Sequence, residues 1–298
     1  MTAPASIALL GTGLMGAPMA RNLAKAGMDV RVWNRTAGKA QALSTAQAGL
    51  TAVDTPAEAA CGADAVITML FDADAVHNAM AGADGALAGM STGAIWLQMS
   101  TVGVEGEARL AALAREHGAG YVDAPVLGTR APAEQGALIV LASGPDEARH
   151  RCEVVLAPLS QRMLWLGAAG AGSRLKMVAN SWVLALTTAM GEAIALAEGL
   201  DLDPQVFLEL IEGHPTDSTY ARTKASAMLR RDFPPSFPVL GALKDARLVE
   251  RAMSGAGVES RVGQAVTAQF AAAVALGHGG DDMAAVYWAA SSERGGTA

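Results

Sequence analysis

Short apolar runs recur along the first half of the chain: SIALLG, DVRVWN, AVITML, AIWLQMS, YVDAPV, ALIVLAS and RMLWLG. Between them the apolar residues fall at three- and four-residue spacing, as in VEGEARLAALAREHGAG, which is the period of one helix face. Strands alternating with amphipathic helices predict βαβ units and a mostly parallel, doubly wound sheet. Beyond residue 170 the pattern becomes long helical stretches with hardly a strand signal, broken by the proline-rich FPPSFPVLG. The expected architecture is α/β followed by all-α: a doubly wound domain over residues 1–166 and a helical domain over residues 167–298, linked by a long helix.

The linking helix is unusual at its start. VLALTTAMGEAIALAEGL is almost wholly apolar, and Thr187, Thr188, Glu192 and Glu198 interrupt it, so it reads as a buried helix rather than a membrane span. The preceding GAGSRLKMVANSW nevertheless carries Lys176 and Asn180, which are four apart and share one helix face. In one reading Lys176 snorkels to solvent from an exposed first turn. In the other it exchanges a proton with an oxygen while hydride moves to or from carbon, with Asn180 fixing the lysine or the substrate. Taken alone, these residues favour the first reading.

Composition narrows the partners. The 298 residues are 51% hydrophobic and 17% charged, enough for one or two packed cores. A net charge of -7, a pI near 5.3 and the absence of any Lys/Arg run exclude a nucleic-acid footprint, leaving a small-molecule substrate. Cys61 and Cys152 form neither a disulfide framework nor a metal-ligand spacing, and the five histidines are scattered, so no metal site is expected. A reducing compartment fits these cysteines, and MTAPASIALLGTG lacks the features of a signal peptide, so a cytoplasmic protein with no membrane partner is expected.

IALLGTGLMGAPMARNL places Gly11, Gly13 and Gly16 in G-x-G-x-x-G spacing between the first strand and a helix. In that context the first glycine permits the tight turn and the second a close approach to a pyrophosphate. The third lets helix and strand pack, and the helix N-terminus faces the anion. Leu14 and Met15 complete this cofactor loop. The second strand ends in Asn34, Arg35 and Thr36 with no acid. A carboxylate there would repel a 2′-phosphate and an arginine would bind it, so NADPH (NADP+) is predicted over NADH. Met69 and Leu70 after one strand, and Gln98 to Thr101 after the next, fall where open α/β sheets bind ligands, and Thr101 is a cofactor candidate.

The chain resembles the β-hydroxyacid dehydrogenase (3-hydroxyisobutyrate dehydrogenase-like) family over nearly its whole length. The similar segments, in the family's order, are LLGTGLMGAPMARNLAKAG, QMSTVG, DAPVLGT, GAGSRLKMVAN and LKDARL. WNRT, RAPAEQGALIVLASG and FPPSFPVLGALKDARL look most similar to the NADPH-dependent glyoxylate and succinic semialdehyde reductase branch. The resemblance implies a Rossmann domain and a reductase of a small aldehyde or keto acid, with Lys176 as general acid and Asn180 assisting. It further implies that Ser100, Thr101, Gly128 and Thr129 hold the substrate carboxylate. Lys244 would reach the cofactor, Asp245 the substrate, and Phe237 would line the pocket. Two departures fall in substrate recognition: Leu127 replaces the usual serine of the loop, and STVGVEGE lacks the proline usual after Ser-Thr. The lost hydroxyl removes a donor for a carboxylate and favours a less polar substrate.

Two other functions stay open. Imine reductases have similar nucleotide domains with WNRT-like segments, and Leu127 suits them, although they usually lack a lysine at position 176. A non-catalytic NADPH-binding module is the alternative from another class, and the retained Lys176 argues against it. The apolar linking helix leaves more surface than one sheet covers, so a homodimer or homotetramer is expected.

Overall fold

A computed structural model describes residues 5–291. It begins with β1 (Ser6–Leu10), α1 (Gly16–Lys25), β2 (Asp29–Trp33), α2 (Ala37–Ala46), β3 (Leu50–Ala52), α3 (Pro56–Ala60) and β4 (Ala65–Thr68). There follow α4 (Ala73–Ala81), α5 (Ala86–Gly89), β5 (Ile95–Gln98), α6 (Gly103–Glu116), β6 (Gly120–Asp123), β7 (Val126–Leu127) and α7 (Arg130–Glu134). β8 (Leu138–Ala142), α8 (Arg149–Leu156) and β9 (Ser160–Trp165) lead into the 29-residue α9 (Ala171–Gly199). The remaining helices are α10 (Pro204–Ile211), α11 (Thr219–Arg230), α12 (Val239–Gly255), α13 (Arg261–Ala275) and α14 (Tyr287–Ala290). The chain divides into two compact units between Lys176 and Met177, inside α9.

In the first unit six strands form a parallel sheet in the order β3-β2-β1-β4-β5-β6. The reason β1 reads as an unbroken apolar run is visible in its side chains. Ile7 and Leu9 point into one core with Val30, Val32 and Ile67. Ala8 and Leu10 point into the other, with Val66, Trp96 and Tyr121. A strand of a doubly covered sheet buries both faces, so alternation disappears. The chain order reverses between β1 and β4, which puts the ligand crevice outside their carboxyl ends. α1 presses Met19, Ala20 and Leu23 onto the sheet, while α3 starts with a Thr55–Glu58 capping box and Pro56 in its first turn.

Two features differ from the reading of the sequence. The edge strand β3 adds to the strands the pattern predicts, with only LTA to signal it. The segments ALIVLAS and RMLWLG do not extend the parallel sheet; β7, β8 and β9 form a separate three-stranded sheet, with β7 antiparallel to β8. Only Ala124 and Pro125 separate β6 from β7, too few residues for the crossover that a parallel neighbour requires.

The second unit is helical. Leu184, Met190 and Ile194 of α9 pack with Met228, Phe270 and Tyr287. Within this core Lys224 pairs with Asp282 at 2.6 Å. Asp282 also accepts from the backbone N–H groups of Ser236, Phe237 and Ala284, so the buried pair pins the FPPSFP segment. The hydroxyls of Thr187 and Thr188 donate to the carbonyls of Val183 and Leu184 one turn back, which satisfies them inside an apolar helix. Among the described residues no helix is long and apolar enough to cross a membrane.

Candidate active site

The glycine loop closes on the end of β4. Gly11 has φ +109°, and a Cβ there would lie 2.3 Å from the Met69 carbonyl oxygen, so no other residue fits. A Cβ on Gly16 would stand 1.8 Å from the Gly11 carbonyl oxygen, which is the helix-to-strand contact the fingerprint requires. Gly13 differs: a Cβ there would meet nothing within 4 Å. The loop thus has two glycines fixed by the fold and one that faces open space at the start of α1.

This geometry fits a dinucleotide. Thr12 carries a buried hydroxyl with no hydrogen-bond partner, and α1 has no side-chain cap at its N-terminus. An orphaned hydroxyl and an uncapped helix start are what an anion would satisfy. Arg35 and Thr36 are exposed just beyond β2. Asn34 is committed to the protein: its Oδ1 accepts from the Thr12 amide at 3.2 Å and its Nδ2 donates to the Thr36 carbonyl at 3.1 Å. It ties the glycine loop to the turn that carries Arg35.

At the ends of β4 and β5 the structure joins Leu70 to Ser100. The fully buried Ser100 accepts the Leu70 N–H at 2.9 Å and donates to the Thr68 carbonyl at 3.2 Å. Gln98 fixes Ser100 further, its side chain binding both the N–H and the carbonyl of that residue. The Ser100 hydroxyl is therefore engaged within the protein in both directions, and Thr101 follows it, half-buried. Leu127 ends β7, Gly128 has φ +125°, and Thr129 precedes α7.

α9 begins under tight constraint. Gly170 has φ +88°, and a Cβ on it would stand 2.7 Å from Oε2 of Glu107. The Gly172 N–H donates to Ser143 Oγ at 2.9 Å, and the Ser173 N–H to Asp123 Oδ2 at 2.7 Å. Burial, reinforced by the charge of Asp123, pushes Glu107 up to about 7 against the opposing pull of Arg174. Lys176 follows, buried at 9% exposure. Asp123, Ser143 and Ser173 were not singled out in the sequence, although Asp123 and Ser173 lie inside DAPVLGT and GAGSRLKMVAN. The usable signal was a helix start, Gly170-Ala171-Gly172, that offers no capping side chain of its own.

In the helical unit the structure brings three expected residues together. Asn180 donates through Nδ2 to Asp245 Oδ2 at 2.8 Å, and Lys244 Nζ lies 2.8 Å from Asp245 Oδ1. Asn180 and Asp245 are buried. Asn180 follows Lys176 by one turn of α9, which places both side chains on one face. Phe237 packs against Gly241, where a Cβ would meet its ring at 2.9 Å.

Two family models cover the chain. The model for the NAD binding domain of 6-phosphogluconate dehydrogenase matches residues 6–167, and that for the NAD-binding part of NADP-dependent 3-hydroxyisobutyrate dehydrogenase matches residues 170–289. The chain belongs to the β-hydroxyacid dehydrogenase family. As such it is an NAD(P)-dependent dehydrogenase or reductase acting on a CH–OH group. Within this family it is similar to glyoxylate/succinic semialdehyde reductase 2 of Arabidopsis thaliana, with 31% identity over 94% of this chain and 78% of that protein. It is also similar to 3-sulfolactaldehyde reductase of Escherichia coli, with 32% identity over 95% of this chain and 94% of that protein. The solved structure of Mycobacterium tuberculosis 3-hydroxyisobutyrate dehydrogenase with L-serine matches at a TM-score of 0.84 and 30% identity, covering 95% of this chain and 98% of that one.

Proposed function

We propose that this family member is an NADPH-dependent reductase that converts a small aldehyde or keto acid to the hydroxy compound, with Lys176 as general acid. The observation that carries the reading is the lysine itself, buried on α9 one turn before an asparagine held by Asp245. NADPH held at the loop of Gly11, Gly13 and Gly16 would supply the hydride for the carbonyl carbon. Lys176 gives its ammonium proton to the carbonyl oxygen as negative charge develops on that oxygen, and takes a replacement from water. Asn180, its amide oriented by Asp245, fixes the lysine or the carbonyl oxygen. Lys244 neutralises Asp245.

Leu14, Met15, Met69 and Leu70 shape the cofactor's seat, and Arg35 with Thr36 takes the 2′-phosphate. Thr101, Gly128 and Thr129 hold the substrate carboxylate, and Ser100 sets the strand ends beneath it. Relatives named for glyoxylate, succinic semialdehyde and 3-sulfolactaldehyde support a small polar carbonyl substrate. Leu127 supports a second reading, reduction of a cyclic imine, since it puts an apolar side chain where a hydroxyl is usual. A spectrophotometric screen of NADPH and NADH oxidation against these aldehydes, small keto acids and a cyclic imine tests both. Turnover of a carbonyl compound with NADPH supports the first reading. Turnover of the imine alone overturns it in favour of the second.

A homodimer or homotetramer is part of the proposal. Val178, Trp182 and Val262 are 65%, 68% and 68% exposed and line one apolar groove of the helical unit. Sedimentation velocity that gives a monomer at micromolar concentration overturns this part.

A further inference from the structure

The start of α9 is fastened to the sheet by a carboxylate that no proton-transfer scheme uses. Asp123 closes β6, and its backbone exchanges hydrogen bonds with Ser143 at the end of β8. Its side chain then reaches the helix. Oδ2 accepts the Ser173 N–H at 2.7 Å and the Ser143 hydroxyl at 3.1 Å, and Oδ1 accepts the Ser173 hydroxyl at 2.7 Å. Ser143 Oγ in turn accepts the Gly172 N–H. A Cβ at Gly172 would lie 2.1 Å from the Leu141 carbonyl oxygen, so the helix start sits directly on the β8 backbone.

All three side chains are buried, Asp123 and Ser143 completely. An ordinary serine, threonine or aspartate within the helix would cap it for about 1 kcal/mol. Here the cap comes from a strand 50 residues away, and it is a carboxylate with no solvent contact. Burial pushes that carboxyl above its ordinary range, while the Ser173 and Ser143 hydrogen bonds pull it down. Its charge in turn pushes up the neighbouring Glu107 and Tyr121. For stability alone the arrangement is expensive. What it achieves is register: with the carboxylate gripping Ser173 at two atoms, the first turn of α9 has one axial position and one rotation. Lys176 is three residues on, about 4.5 Å along the axis, so its placement follows from the same grip.

We infer that Asp123 is a positioning residue for Lys176, acting through Ser173 and the first turn of α9. The inference rests on the proton-donor role proposed above for Lys176. A misplacement of the donor by about 1 Å lowers turnover about 100-fold, so the clip affects the chemical step and leaves cofactor binding alone.

The experiment compares wild type, Asp123→Asn, Ser173→Ala and Lys176→Ala at a temperature where melting curves show each fully folded. The inference predicts that Asp123→Asn lowers kcat by about 10- to 100-fold, with the NADPH Kd within about twofold of wild type. It also predicts a larger primary isotope effect with deuterated NADPH, because hydride transfer becomes slower than product release. Ser173→Ala, which keeps the carboxylate, shifts the same quantities less. Unchanged kcat and isotope effect in both folded variants overturn the inference. A second readout does not need turnover: the chain has five lysines, and after reductive 13C-methylation the Lys176 resonance is assigned by its loss in Lys176→Ala. The resonance is predicted to move in Asp123→Asn, and an unmoved resonance overturns the inference. If wild type reduces no carbonyl compound, the reductase reading falls while the resonance still decides whether Asp123 places Lys176.

Discussion

Asn180 gives its side-chain amide to Asp245 across 65 residues of sequence, at 2.8 Å and with both side chains buried. The bond orients an amide that would otherwise rotate, and it fixes α9 to α12 next to the lysine turn. Asp245→Ala leaves that buried amide without its acceptor, which costs about 1–3 kcal/mol, and frees Lys244 from its ion pair. Urea unfolding of the variant is expected to show this loss, and carbonyl reduction is expected to fall with it. Unchanged stability and activity would mean that the contact is incidental.

The three glycines of the nucleotide loop are expected to separate by role. Gly13→Ala meets no atom within 4 Å, so its melting temperature should match wild type while NADPH affinity, measured by fluorescence, drops. Gly16→Ala drives a methyl into the Gly11 carbonyl and should destabilise the fold by several kcal/mol, as overpacking against backbone does. A Gly13→Ala variant with normal NADPH affinity would remove the pyrophosphate from this loop.

Arg35 should set cofactor choice. With Asn34 tied to Thr12 and Thr36, Arg35 is the charged group at the end of β2. Arg35→Asp is expected to lower kcat/KM with NADPH by about tenfold or more, the worth of a charge-assisted contact, and to raise it with NADH. An unaltered ratio of the two rules out the assignment.

Glu107 gives the fold a pH dependence of known sign. Its folded pKa is raised from an ordinary 4.5 to about 7, so the folded state holds the proton more tightly than the unfolded chain. The resulting stability is fully present below pH 4.5 and is lost as pH rises through about 7. Wild type should therefore lose on the order of 1–2 kcal/mol between about pH 5 and about pH 8 relative to Glu107→Gln, which has no charge to bury. Parallel pH-dependent unfolding curves for the two proteins would contradict the buried acid.

Much of this was legible in the chain because local chemistry and global fold agree there. β1 is apolar throughout since both its faces are covered, and Gly11 and Gly16 are glycines since the backbone comes too close for anything else. β3 escaped notice since three residues cannot show a period. The second sheet escaped since nothing in ALIVLAS distinguishes a strand that continues a sheet from one that starts another. The short β6–β7 connection held that information. Asn34 and Ser100 illustrate a different limit: their positions beside the nucleotide loop and the strand ends were readable, but not that their side chains bind the protein's own backbone. Asp123 lies within the loop motif DAPVLGT while its partner Ser173 is 50 residues on, a separation that no local pattern spans.

The central claim is that Lys176 delivers the proton. Its most direct test is the turnover number of Lys176→Ala beside wild type, with the carbonyl substrate found in the NADPH screen and with NADPH affinity measured on the same samples. The account predicts a loss of about 10²- to 10⁴-fold in kcat, the usual worth of a general acid, with NADPH still bound. Turnover within a few-fold of wild type would contradict it.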